Sequence, residues 1–266
     1  MARGEFRADL EAPILKSFEA AKVANLDQRK RRITLRHVLT MTSGIDWNED
    51  VPYGDPNNGS DQMEATSDWP KFVIDLPMAH EPGEVFACSS GGSELLGYIF
   101  EKVTGKDIQD YAKEHVFDLL GIKDWYWKRT PTGLSDTEGG LYSKPEDLAK
   151  VGFMYLKNGT WDGKQVVQVN WVKDSLAASV TTARAGRKYG FQWSLLPHGA
   201  RGEQLAWAAL RFGGQKLIVT PEQELMMIMT GWDIDPRDTE RSRVLPKTVL
   251  DRVLEAVAAP KGCNFP

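Results

Sequence analysis

Apolar residues recur at helical spacing through most of the first 180 positions. After that they gather in short segments typical of strands. The helical spacing, interrupted by Pro and Gly residues, predicts a series of helices. These helices cover residues 12–24, 34–41, 67–76, 89–103, 107–120, 145–156 and 169–179. Residues 45–66 are rich in Gly, Pro, Asn and Asp and are predicted to form a long loop. A loop of that length is more often functional than a mere connection.

The pattern changes in the last third of the chain, where short segments are rich in apolar and aromatic residues. The predicted strands cover residues 189–196, 205–210, 215–220 and 224–230. Gly-Gly or Pro turns separate several of them, which favours an antiparallel meander. A closing helix is predicted at 242–258.

Helices that precede a sheet and a covering helix are typical of an α+β fold. The length of 266 residues fits one large domain. We therefore predict a single domain over 1–266, with a helical lobe at about 34–180 and an antiparallel sheet plus closing helix at about 187–258.

Composition narrows the class of protein. Hydrophobic residues make up 41% of the chain and charged residues 26%, the balance of a globular protein. The formal net charge of −4 argues against a nucleic-acid or anionic-membrane partner. No apolar run approaches the length of a membrane span, and the first residues lack the apolar core of a signal peptide. The two cysteines, Cys88 and Cys263, and the four histidines show no metal-like spacing, so we expect neither a metal nor a cofactor.

Two stretches carry a family resemblance. They read ITLRHVLTMTSG at 33–44 and FACSSGGSELLGYIFEKVTG at 86–105. Together they resemble the serine β-lactamase family, in its class C, penicillin-binding-protein-like and esterase branch. The resemblance implies an α+β fold with an antiparallel sheet and a helical lobe. It also implies hydrolysis of a β-lactam, a small ester or a short amide through a serine acyl-enzyme, in a family that is often periplasmic or exported.

Acyl transfer by an activated serine needs a nucleophile, a base beside it and donors that stabilise the oxyanion. In the resembled family the first two come from a Ser-x-x-Lys motif, but no serine of this chain has a lysine three residues later. By the order of the family's motifs, that pair lies upstream of Leu10. The resemblance therefore implies an N-terminally truncated domain, matched over about 9–258, with no intact catalytic residue.

The family's second motif, Tyr-x-Asn or Tyr-x-Ser, falls on residues 88–90. Cys88 then occupies the Tyr position and Ser90 the Asn/Ser position. A thiol ionises near pH 8.5, against about 10 for a phenol, and its side chain is much shorter. We interpret Cys88 as a small side chain at a degenerate position. A nucleophilic thiolate, with its pKa lowered by the helix that follows, is the alternative, but no histidine is visibly paired with it.

The third motif, Lys-Thr-Gly or His-x-Gly in the family, supplies a cation and a backbone donor. The matching positions and the two that follow are Arg211, Phe212, Gly213, Gly214 and Gln215. Arg211 would place a fixed cation where a substrate carboxylate binds, and Gly213 would permit close approach of the backbone to a ligand. The alternative is an arginine at a strand edge beside a Gly-Gly turn.

These motifs leave open whether the chain is an enzyme. The first hypothesis is a truncated or degenerate pseudoenzyme with a relict cleft and no ordinary serine-hydrolase turnover. The second is a fragment of a complete hydrolase whose N-terminal part comes from another chain or an earlier start codon. The third is a non-catalytic protein that binds a small acyl ligand or a partner. Because loss of a central helix would leave a large cavity, we also expect a marginal or repacked chain, or a homodimer that covers the missing element.

Overall fold

The computed structural model describes residues 9–177, 179–183, 186–198, 202, 204–231 and 249–257. The helices in these ranges are α1 Gln28–Arg31, α2 Leu35–Leu39, α3 Gly59–Glu64, α4 Trp69–Asp75, α5 Ser90–Thr104, α6 Ile108–Ala112, α7 Asp118–Leu120, α8 Pro145–Leu156, α9 Val169–Ser175 and α10 at 249–257. A π-helical turn, Lys113–Phe117, joins α6 to α7.

Helix α5 is the longest of these helices, and its ends follow the local sequence signals. Ser89 is the N-cap, and its hydroxyl accepts a hydrogen bond from the Gly92 N–H at 2.9 Å. Gly105 ends the helix in the left-handed region at φ 68°. The prediction of a helix at 89–103 is confirmed, as are those over α2 and α4.

The predicted helix at 12–24 is wrong. The chain there forms two short 3-10 turns, Ile14–Ser17 and Ala20–Lys22. Pro13 forms an isolated β-bridge with Thr34, and the Ile14 N–H donates to a carbonyl outside its own segment, at 2.9 Å. Backbone pairing with a distant segment therefore replaces the intrahelical bonds that the apolar spacing suggested. The predicted loop at 45–66 also proves partly helical, since it contains α3.

Six strands form an antiparallel sheet in the order β10-β9-β8-β7-β6-β5. Their bounds are β5 Val180–Thr181, β6 Lys188–Tyr189, β7 Ser194–His198, β8 Gln204–Leu210, β9 Lys216–Thr220 and β10 Leu225–Met229. The predicted meander is confirmed, but the predicted strand at 189–196 is two strands. A turn separates them, with Gln192 at φ 61° and its N–H bonded to the Leu39 carbonyl at 3.1 Å.

Two small hairpins lie within the region that the sequence predicts as a helical lobe. They pair β1 Trp125–Trp127 with β2 Leu141–Ser143, and β3 Thr160–Trp161 with β4 Lys164–Gln165. Strands of two or three residues are too short to show an alternating pattern, so the sequence offered no signal for them.

Apolar side chains gather into separate cores on the helical and the sheet side. On the helical side α5 packs against α2 and α4, with Leu95 and Ile74 completely buried. On the sheet side every residue of β9 is buried, and α8 packs against β9 and β10. No helix in the described ranges combines the length and apolarity needed to cross a membrane.

Candidate functional site

The second-motif positions lie at the start of α5. The N–H of Ser90 donates to Oε1 of Glu49 at 3.1 Å, and the hydroxyl of Ser60 donates to the same oxygen at 2.7 Å. A carboxylate is stabilised there because the exposed N–H groups and the dipole of the helix point at it. Glu49, in the loop before α3, therefore covers the backbone group that the Ser90 position presents.

Cys88 is exposed and lies near Tyr189 of β6. The ring of Phe86 is 5.0 Å from the ring of Tyr189, a buried residue of β6. Burial raises the pKa of the Tyr189 phenol, and the nearby Cys88 thiol adds to that effect. Cys88, predicted from the sequence to occupy the family's Tyr position, is thus an accessible thiol near a phenol that stays neutral.

The third-motif positions follow β8. The N–H of Arg211 donates to the Gln215 carbonyl at 2.9 Å, which closes a short turn over Phe212–Gly214. Gly213 and Gly214 have φ values of 74° and 87°, a conformation that favours glycine. The Gln215 side chain donates to the Gly231 carbonyl. The side chain of Arg211 extends away from this turn and donates from Nη1 to the Glu138 carbonyl at 2.6 Å.

Tyr53 connects the two motif positions. Its ring centroid is 4.7 Å from that of Phe212. Desolvation of the phenol, together with the carboxylates of Glu138 and Glu49 and against the Arg211 guanidinium, raises the pKa of Tyr53 to about 12. The phenol therefore lies within electrostatic reach both of Arg211 and of the Glu49 carboxylate that covers the start of α5.

A group of buried carboxyls lies behind these residues. Glu94, on the first turns of α5, is only 1% exposed. Burial raises its pKa to about 8, and the nearby Asp136 adds to the shift. Burial also raises the pKa of Glu138 to about 7, although the Ser60 hydroxyl opposes it. A carboxyl with such a pKa exchanges its proton near neutral pH, as a general acid or base must.

The structure therefore brings Ser90, Arg211 and Phe212 around Tyr53 and Glu138, and places Cys88 on the β6 side of the same helix start. Sequence reasoning missed Glu49, Tyr53, Glu94 and Glu138, because no motif marks them. The one available signal was an acidic residue at position 94 inside an otherwise apolar helix face. In the described part of the chain, no cluster of three or more His, Cys, Asp or Glu residues could hold a metal ion.

Comparison with known proteins gives a consistent family match. The family model described as Beta-lactamase matches residues 4–241. The 6-aminohexanoate-dimer hydrolase of Paenarthrobacter ureafaciens is 28% identical over 245 residues, which are 83% of this chain and 60% of that protein. Monacolin J acid methylbutanoyltransferase of Aspergillus terreus is 31% identical over 125 residues, 45% of this chain and 29% of that protein. The chain thus spans less than two thirds of the length of either relative.

The fold is shared with solved structures. A putative 6-aminohexanoate-dimer hydrolase from Bacillus anthracis superimposes with a TM-score of 0.74 at 20% identity, covering 95% of this chain and 68% of that one. At this identity the likeness establishes the arrangement of the elements. It supports the predicted α+β fold with a helical part and an antiparallel sheet.

Proposed function

The chain belongs to the beta-lactamase family, and from this premise we propose that it binds a small ester or short amide for acyl transfer between the start of α5 and the end of β8. We further propose that its 266 residues do not turn this substrate over by themselves. The observation that carries the proposal is the approach of Arg211 and Phe212 to the start of α5 through Tyr53 and Glu138.

The nature of the groups supports a small acyl substrate with a carboxylate. Arg211 offers a permanently charged, planar donor set that suits a carboxylate. The exposed rings of Phe212 and Tyr53 offer apolar contact beside it. Relatives of this chain include a 6-aminohexanoate-dimer hydrolase and a methylbutanoyltransferase, so acyl groups carried by amides and esters are the substrates to test first.

The missing nucleophile supports the second part of the proposal. No Ser-x-x-Lys pair occurs in the sequence, and Cys88 stands where the family has its tyrosine. The described groups can bind, orient and exchange a proton, but the serine that would form an acyl-enzyme, and the lysine that would activate it, are not among these residues.

The test combines covalent labelling with binding. The chain is incubated with a fluorophosphonate and with a fluorescent penicillin and followed by intact mass, and turnover of 6-aminohexanoate dimer and of a p-nitrophenyl ester is measured in parallel. We expect neither an adduct nor turnover. We expect 6-aminohexanoate dimer to shift the melting temperature of the wild type, and Arg211→Ala to abolish that shift. A stoichiometric adduct on a serine, or turnover above the buffer rate, would refute the proposal.

The Cys88→Tyr variant and the DNA sequence upstream of Met1 distinguish a degenerate enzyme, a fragment of a hydrolase and a binding protein. Cys88→Tyr restores the family residue, and we expect it to stay inactive because the nucleophile pair is still missing. An in-frame Ser-x-x-Lys in the DNA upstream of Met1 would favour a fragment of a complete hydrolase. Ligand binding without such a segment would favour a binding protein. The solution mass tests the expected homodimer.

A further inference from the structure

The turn at residues 136–140 lies between α5 and Arg211, and Glu94 holds it on the helix. Oε1 of Glu94 accepts hydrogen bonds from the Glu138 N–H at 2.6 Å and from the Thr137 hydroxyl at 3.2 Å. The same hydroxyl lies 2.9 Å from the Ser93 carbonyl, to which it can donate instead. Since Glu94 is almost completely buried, water does not compete for these contacts.

The turn is also packed tightly and braced internally. A Cβ at Gly97 would lie 2.5 Å from Oγ1 and 2.7 Å from Cγ2 of Thr137, so the turn sits directly on the helix backbone. Within the turn, Oδ1 of Asp136 accepts from the Gly139 N–H at 2.9 Å, and its carbonyl accepts from the Gly140 N–H at 3.1 Å. A displacement of the turn at its helix side therefore moves all of it.

Arg211 contacts the same turn. Its Nη1 donates to the Glu138 carbonyl at 2.6 Å. Its Nη2 lies 1.5 Å from the place where a Cβ at Gly139 would be, so the guanidinium occupies the space that the glycine leaves open. The residue whose N–H is held by Glu94 is thus the same residue whose carbonyl holds Arg211.

We infer that Glu94 is a positioning residue for Arg211: its buried carboxyl oxygen fixes the 136–140 turn on α5, and the turn fixes the guanidinium. The inference rests on the proposed function, in which Arg211 is the cation that receives the substrate. A substitution at position 94 then changes where the cation of the site lies, although Glu94 itself touches no substrate.

A merely structural role for Glu94 makes a different prediction. A buried carboxyl that only contributes to packing would lower the stability of the chain when it is replaced, and Arg211 would keep its place on the turn. The two roles are separated by the reactivity of the Arg211 guanidinium in the folded protein, measured without any substrate.

The experiment measures the rate at which phenylglyoxal modifies Arg211, resolved from the other arginines by peptide mapping. Glu94→Leu removes the acceptor oxygen, and we expect modification roughly fivefold faster than in the wild type, the change that loss of one net hydrogen bond produces. Glu94→Gln keeps an acceptor oxygen at the same place and should restore the slow rate. Gly139→Ala displaces the guanidinium directly and should give the fast rate.

Two further variants distinguish a specific effect on Arg211 from a general loss of stability. Asp147→Asn replaces a buried carboxylate on α8 that contacts Lys150 at 2.7 Å, and it should leave the Arg211 rate unchanged. If Glu94→Leu does not fold, Thr137→Val removes the hydroxyl that joins the turn to Ser93 and Glu94 while keeping its shape. It should raise the Arg211 rate part of the way.

Several results would overturn the inference. The first is an unchanged Arg211 modification rate in folded Glu94→Leu or, should that variant not fold, in Thr137→Val. The second is a fast rate in Glu94→Gln, and the third is a slow rate in Gly139→Ala. The binding assay of the proposed function is independent of this measurement. If the wild type fails to bind 6-aminohexanoate dimer but Arg211 reacts as expected, the proposed function fails while the positioning role stands.

Discussion

Replacement of Gly97 by alanine should destabilise the chain, although alanine is the better helix former. Gly97 lies inside α5, and an alanine in an ordinary helix interior is more favourable than glycine by roughly 0.5–1 kcal/mol. Its new methyl group would, however, meet three atoms of Thr137 at 2.5, 2.7 and 3.2 Å. Because Thr137 is branched at Cβ and both branches are in contact, no simple rotation of its side chain relieves the clash.

The magnitude follows from these contacts. Overpacking of a well-packed site costs about 1–3 kcal/mol, and the hydrogen bond of the Thr137 hydroxyl contributes about 1 kcal/mol more. After the gain in helix propensity is subtracted, we expect Gly97→Ala to lower the free energy of unfolding by roughly 1–3 kcal/mol. Gly92, in the same helix, is the matched control. A Cβ there would meet its nearest atom at an ordinary 3.4 Å, so Gly92→Ala should be neutral or slightly stabilising.

The assay is urea unfolding of both variants and the wild type, followed by tryptophan fluorescence and by circular dichroism. The midpoint should fall for Gly97→Ala and stay or rise for Gly92→Ala, with an unchanged dependence on urea concentration. If Gly97→Ala proves as stable as Gly92→Ala, the turn at 136–140 does not pack on α5, and Glu94 cannot position Arg211 through it.

Other predictions concern buried charge, pH and backbone strain. The ammonium of Lys30 is completely buried and donates to three backbone carbonyls at 2.6–2.9 Å, so Lys30→Met should cost on the order of 3 kcal/mol in urea unfolding; a loss below ~1 kcal/mol would contradict this. Burial raises the pKa of Glu94 to about 8 from an ordinary 4.5, so the native state keeps a proton that the unfolded state loses. Stability should therefore fall by up to about 1.4 kcal/mol per pH unit as the pH rises from 4.5 to 8. Glu138 acts in the same direction, and Glu94→Gln should flatten the slope in denaturation at several pH values. Gly44 has φ 77°, and a Cβ there would lie 2.5 Å from the His80 carbonyl oxygen, so Gly44→Ala should lower the melting temperature by several degrees; an unchanged value would contradict the strain.

Features that depend on neighbours along the chain could be predicted from the sequence alone. The apolar spacing predicted α5, and short apolar and aromatic segments separated by Gly-Gly or Pro turns predicted the antiparallel meander. Two motif stretches were enough to identify the family, which the match over 4–241 confirms. These signals are local, because helix and strand periodicity and end caps are set by residues within a few positions of one another.

The assembly of the candidate site could not be predicted from the sequence, because it depends on contacts between residues that lie far apart along the chain. Glu94 meets the Glu138 N–H across 44 positions, and Arg211 meets the Glu138 carbonyl across 73 positions. Tyr53 reaches Phe212 from a loop that the sequence predicted by its Gly, Pro, Asn and Asp content, without showing what the loop contacts. The raised pKa values of Glu94 and Glu138 arise from burial, which is a property of the packed molecule rather than of the residue type. Periodicity shows which face of an element is apolar, but not which distant backbone group will lie against it, and that contact places the Arg211 cation.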